Sequence, residues 1–154
     1  MLTRFASTTR DMLRIALNEA RGRGDSIVGT DHLLVALLHD PALASGVLGR
    51  RTPDDARTAL KERDCAALLA AGVDVDTVAS TGLAVDDEAR LPLSAGTRQV
   101  FEAARRITTA RGRRRVQTHD LLAALASRPT PDPGLDLLVA LGLDPARIAT
   151  DLAA

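Results

Sequence analysis

The sequence has no tryptophan, no tyrosine and only two phenylalanines, Phe5 and Phe101, among 154 residues. Its core must therefore be built from Leu, Val, Ile and Ala, which favours close-packed helices over a sandwich of aromatic and β-branched strands. Cys65 stands alone, excluding an intrachain disulfide and a thiolate metal cluster. His32, His39 and His119 are the only histidines. His32 and His39 are about 10 Å apart along a helix, too far to share one ion, so no metal is expected. No run approaches the roughly 20 apolar residues that span a bilayer, and Met1 to Arg10 lacks the apolar segment of a secretory signal. The expectation is a cytoplasmic protein without membrane contact. No G-x-x-x-x-G-K-[ST] phosphate loop occurs, and no nucleophile elbow frames Ser26, Asp31 and His32. Catalytic residues and cofactors are accordingly expected to be none. Twenty basic and 20 acidic residues cancel, which argues against the whole chain being a nucleic-acid binder but leaves room for a local patch.

What is present is a duplication. Val28-Gly29-Thr30-Asp31-His32-Leu33-Leu34 returns as Val116-Gln117-Thr118-His119-Asp120-Leu121-Leu122, with Thr30 and Thr118 separated by 88 residues. Each copy reads as a helix start, with a hydroxyl residue to cap free N–H groups, an acid in the first turn, then an apolar stripe. Pro41 and Pro129, also 88 apart, follow each copy. Upstream, Phe5 to Ala20 fits one amphipathic helix broken by Gly22 and Gly24. At the same offset Thr9 meets Thr97, Arg10 meets Arg98, Ala16 meets Ala104 and Gly24 meets Gly112. Leu68-Leu69-Ala70-Ala71-Gly72 repeats as Leu138-Val139-Ala140-Leu141-Gly142 at an offset of 70, leaving 18 extra residues in the first half. Within them Thr52-Pro53-Asp54-Asp55 predicts a helix running to about Asp64. Gly72 and Gly142 stop helices, and Asp74 and Asp144 cap the next.

These patterns predict an all-α fold of two pseudo-twofold-related repeats, about four helices each, packed into one compact domain. The expected organisation is one domain over 1–154. Repeat one covers about 1–80 with an extra segment near 42–67, a linker runs over about 81–92, and repeat two covers about 93–154.

Arg4-Phe5-Ala6-Ser7 before the first helix, Gly29-Thr30-Asp31-His32-Leu33-Leu34 opening the second, and their counterparts Leu91-Pro92-Leu93-Ser94 and Gln117-Thr118-His119-Asp120-Leu121-Leu122 carry a family resemblance. The chain resembles the N-terminal Clp-repeat domain of Clp-type AAA+ unfoldases, closest to the ClpC kind, and looks like that recognition domain without its motor. The resemblance implies a non-enzymatic protein- and peptide-binding module, either an accessory of the Clp protease machinery or a decoy for it. It implies Clp substrates or adaptors as partners, including phosphoarginine-bearing proteins or cyclic peptide antibiotics. Asp31 and His119 fall where the family places an acid that holds the guanidinium of phosphoarginine, beside Thr30 and Thr118. Asp31 is one methylene shorter than the family's Glu, and His119 lacks its charge at neutral pH. Capping alone is the competing reading for these residues.

If the twofold holds, Phe5 and Leu93 reach equivalent places with Arg10 and Arg98 nearby. This neighbourhood, with Leu2, is the peptide-binding surface the resemblance implies. Arg105, Arg106, Arg111, Arg113, Arg114 and Arg115 form the one conspicuous charge cluster. It reads as a solvated basic edge, or as a contact for acidic partners or nucleic acid, the latter disfavoured because no aromatic is interleaved for base stacking.

Overall fold

Residues 5–73 and 90–153 are described by the structure, a computed structural model. Eight helices appear among them: α1 (Ser7–Arg23), α2 (Thr30–Leu37), α3 (Pro41–Ser45), α4 (Pro53–Ala70), α5 (Ala95–Ala110), α6 (Thr118–Ala126), α7 (Pro133–Ala140) and α8 (Pro145–Ala153). The all-α expectation of two tandem repeats holds.

The two short leucine helices lie at the centre. Every residue of α2 is buried, and in α6 only His119 reaches solvent. A helix apolar on all sides must be covered on all sides. Accordingly α2 packs against α1 and α7, and α6 against α5 and α8. Leu33, Leu34 and Leu37 and their counterparts Leu121, Leu122 and Leu125 are fully buried. Each is worth about 1.5–3 kcal/mol relative to exposure.

The halves are stitched by contacts that obey the 88-residue repeat. Short parallel bridges pair Phe5 with Val116 and Leu93 with Val28. The Ala6 N–H donates to the Val116 carbonyl at 3.1 Å, and the Ser94 N–H to the Val28 carbonyl at 3.0 Å. Thr9 and Thr97 donate their hydroxyls to the same two carbonyls, both at 2.9 Å. Each half thus satisfies the backbone ahead of the other's second helix.

Helix ends follow local chemistry. Gly24 (φ 76°) and Gly112 (φ 66°) end α1 and α5 in left-handed conformations that favour glycine. The next amides reach back, Asp25 N–H to Ala20 O and Arg113 N–H to Thr108 O. Gly22 does not break α1, since it faces open space inside the helix. Thr52 caps α4, accepting from the Asp55 N–H at 3.2 Å while Asp55 accepts from the Thr52 N–H at 2.8 Å. Contrary to the sequence expectation, α4 does not stop near Asp64. It runs to Ala70, so the extra segment and the Leu68 repeat share one helix, tied to α1 by Arg57–Glu19 and Arg23–Asp64. The extra residues therefore add α3 and the first turns of α4, whereas α7 combines an Asp-Pro start like that of α3 with an ending like that of α4. The Asp144 cap is present, accepting from the Ala146 N–H. Asp74, Leu2 and most of the expected 81–92 linker lie outside the described residues.

The Thr52 N–H, and then its hydroxyl, hold the Asp55 carboxyl below the ordinary carboxylate range. A depressed folded-state value means that this box stabilises α4 above the unfolded carboxyl's pKa and is lost as pH falls through the folded one. An NMR pH titration should find Asp55 ionising below the usual range, and Thr52→Ala should move that titration upward.

Candidate functional site

Thr30 and Thr118 do not cap their helices as the sequence suggested. Each occupies the first helical position, after Gly29 and Gln117. The Thr30 hydroxyl donates to Asp132 Oδ1 at 2.8 Å and accepts from the Gly134 N–H at 3.0 Å, and the Thr118 hydroxyl donates to Asp40 Oδ2 at 2.6 Å. Asp132 and Asp40 are the N-caps of α7 and α3, so each threonine joins its own half to the opposite half's next helix. Gly134 keeps this approach close: a Cβ there would stand 3.0 Å from the Thr30 carbonyl oxygen, so the Thr30 backbone would have to give by a few tenths of an ångström.

The capping role passes to position three of each helix. His32 Nδ1 accepts from the Gly29 N–H at 3.0 Å, which puts the ring proton on Nε2, 2.9 Å from Asp25 Oδ2. In the second half Asp120, 88 residues on, accepts from the Gln117 N–H at 3.1 Å. Its fully buried carboxylate also takes the Thr108 hydroxyl at 2.8 Å and Arg111 Nη1 at 3.0 Å. Arg111 further donates to the Leu152 carbonyl of α8.

Asp31 lies in a cleft of about 600 Å³ where the starts of α2, α5 and α7 meet. Its carboxylate accepts from the His32 N–H at 3.0 Å and from Arg63 Nη2 at 3.3 Å. The guanidinium partner of Asp31 is thus supplied by α4 of the same chain. His119 is exposed, while Thr118 beside it is buried.

Phe5, Arg10, Leu93 and Arg98 come together in a groove of about 590 Å³ between α1 and α5. Phe5 is buried and meets Phe101 edge-on, with ring centroids 5.6 Å apart. The floor is made of repeat-related pairs, Phe5 with Leu93 and Leu13 with Phe101, and exposed Arg10 and Arg98 stand on its rim. Leu13, Thr9 and Phe101 were missed from the sequence. The 88-residue offset that links Phe5 to Leu93 also links Leu13 to Phe101, so the signal was there. Arg105 and Glu102 close one end, where the other half has Leu17 and Arg14.

The arginine cluster divides. Arg111 turns inward to Asp120, whereas Arg105, Arg106, Arg113 and Arg114 line an open depression of about 910 Å³ beside the end of α5. Arg115 is exposed nearby without lining it.

Among the described residues no group of His, Cys, Asp and Glu side chains forms a metal site, and no helix is long and apolar enough to cross a membrane. A search of curated protein sequences finds no match. Solved structures share the fold, the following two among them. The N-terminal domain of the caseinolytic protease associated chaperone ClpD from Arabidopsis thaliana is 23% identical with a TM-score of 0.70, covering 99% of this chain and 97% of that one. A structure from investigations of a malarial protein secretion system is 16% identical with a TM-score of 0.68, covering 97% and 92%. The sequence model of the family described as the Clp repeat (R) N-terminal domain matches residues 4–132, from the segment entering α1 to the N-cap of α7. With its duplicated helices, the chain belongs to the Clp-repeat N-terminal domain family.

Proposed function

We propose that this chain is a protein- and peptide-recognition module that takes apolar segments into the groove between α1 and α5, serving the Clp protease machinery as an accessory or competing with it as a decoy. The observation that carries the reading is the groove's construction. Leu13, Leu93 and Phe101 remain partly exposed on an apolar floor, and two repeat-related arginines frame it. An apolar floor with a few placed polar groups is what ligand recognition requires. Family membership supports a general role in recognising adaptors or substrates. The groove is the better candidate than the Asp31 cleft for two reasons. Asp31 already has Arg63 as its partner, and the equivalent His119 provides no carboxylate.

Calorimetric titration with an apolar cyclic peptide and, separately, with phosphoarginine tests the reading. The cyclic peptide should bind, and Arg10→Glu/Arg98→Glu should weaken it about tenfold or more, equivalent to about 1.4 kcal/mol. Both arginines are exposed, so circular dichroism should be unchanged. Phosphoarginine binding that is abolished by Asp31→Ala, with no cyclic-peptide binding, would move the site to the cleft.

A further inference from the structure

The apolar groove and the arginine depression are contiguous. Glu102 and Arg105 line both, so a segment leaving the groove past Phe101 passes directly over Arg105 towards Arg106, Arg113 and Arg114. The duplication supplies an internal control for what these arginines do. At the equivalent positions the first half carries Leu17, Asn18, Asp25 and Ser26, and it builds the same helix pair with the same glycine-terminated end. Four arginines are therefore not needed by the helix packing.

Nor are they used up internally. Arg105 and Arg114 make no ion pair among the described residues. Arg106 reaches only exposed Glu102, and Arg113 stands 4.0 Å from Asp120, whose carboxylate Arg111 already holds at 3.0 Å. On a chain of zero formal charge this is a local excess of one sign, on one side of the pseudo-twofold only.

We propose that groove and depression form one docking surface for an extended segment of a partner protein in which apolar side chains are followed by a run of acidic ones. The inference rests on the groove reading and adds the charge pattern of the ligand. The groove anchors the apolar residues, and the arginine face pairs the carboxylates, favouring acidic over basic segments. Nucleic acid fits less well. No aromatic lines the depression to stack a base, Glu102 sits on its edge, and the Thr108 and Thr109 hydroxyls are already engaged, by the Asp120 carboxylate and the Arg105 carbonyl.

The test uses fluorescently labelled linear peptides and the whole chain, read by anisotropy. An apolar peptide is compared with versions extended at either end by four glutamates or by four lysines. One glutamate version should bind about tenfold more tightly than the bare peptide at low salt, and the gain should shrink near ~0.3 M salt as the pairs are screened. Arg106→Asn/Arg114→Ser, which installs the residues of the first half, should abolish the gain and leave bare-peptide binding unchanged. If the bare peptide binds but glutamates add nothing, the inference falls while the groove reading stands. If no version binds, both fall. A single-stranded oligonucleotide that displaces the glutamate version but not the bare peptide, and binds more tightly than either, overturns the acidic-segment proposal in favour of nucleic acid.

Discussion

Asp120→Ala is expected to lower the unfolding free energy by about 3–4 kcal/mol, the lower part of the range for removing one partner of a buried ion pair. The carboxylate is fully buried and is shared by three donors: the Gln117 N–H, the Thr108 hydroxyl and Arg111. Alanine leaves the amide and the guanidinium without that acceptor. Arg111 keeps about a quarter of its side-chain surface in water and retains the Leu152 carbonyl, which limits the loss. Urea unfolding followed by circular dichroism measures it. Asp120→Asn, which can still accept from Gln117, should lose distinctly less. Equal losses for Ala and Asn would mean that the Arg111 pairing, not the helix cap, dominates. A loss below about 1 kcal/mol for Ala would remove Asp120 from any account of how the second half holds together.

Asp132→Ala should cost about 2–3 kcal/mol, combining a lost N-cap with an unpaired buried hydroxyl. Its carboxylate caps α7 through the Gly134 N–H, takes the Thr30 hydroxyl from the other half and pairs with Arg128 at 3.0 Å. An N-cap elsewhere would lose only the first of these. The cross-half share can be isolated with a double-mutant cycle on Thr30→Val and Asp132→Ala, where a coupling near 1 kcal/mol is expected. Additive losses would show that Thr30 and Asp132 stabilise their own helices independently and that the contact between halves contributes nothing.

The repeat was the most legible part of the molecule. Offsets of 88 and 70 residues located helix starts, the glycine ends at Gly24, Gly112 and Gly142, and the 18-residue excess. These are local signals, because a cap or a left-handed turn is written within a few residues of where it acts. What was not legible depends on partners distant in sequence. Thr30 and Thr118 look like caps because hydroxyls before leucines usually are, yet their partners lie 102 and 78 residues away. The arginine cluster looked uniform because sequence proximity says nothing of the buried Asp120 that claims Arg111 and leaves its neighbours outside. Arg63 gave no sign of meeting Asp31, since the two are 32 residues apart and only the folded placement of α4 beside α2 brings them together. The groove fell between these cases. Its symmetric members were readable from the repeat, while Glu102 and Arg105 became part of it only through the folded path of α5.

The paired bridges at Phe5–Val116 and Leu93–Val28 have a consequence for how such a chain can change. Reciprocal contacts of this kind are those of a symmetric dimer whose two copies have been joined end to end. In a true dimer every substitution appears on both sides of the axis, and assembly weakens on dilution. Once tethered, the partner is held at a fixed local concentration whatever the amount of protein present. Substitutions then occur singly. One copy can keep Asp25 and His32 as framework while the other exchanges them for Arg113 and Asp120, so new surface chemistry is acquired without being imposed twice on the same scaffold.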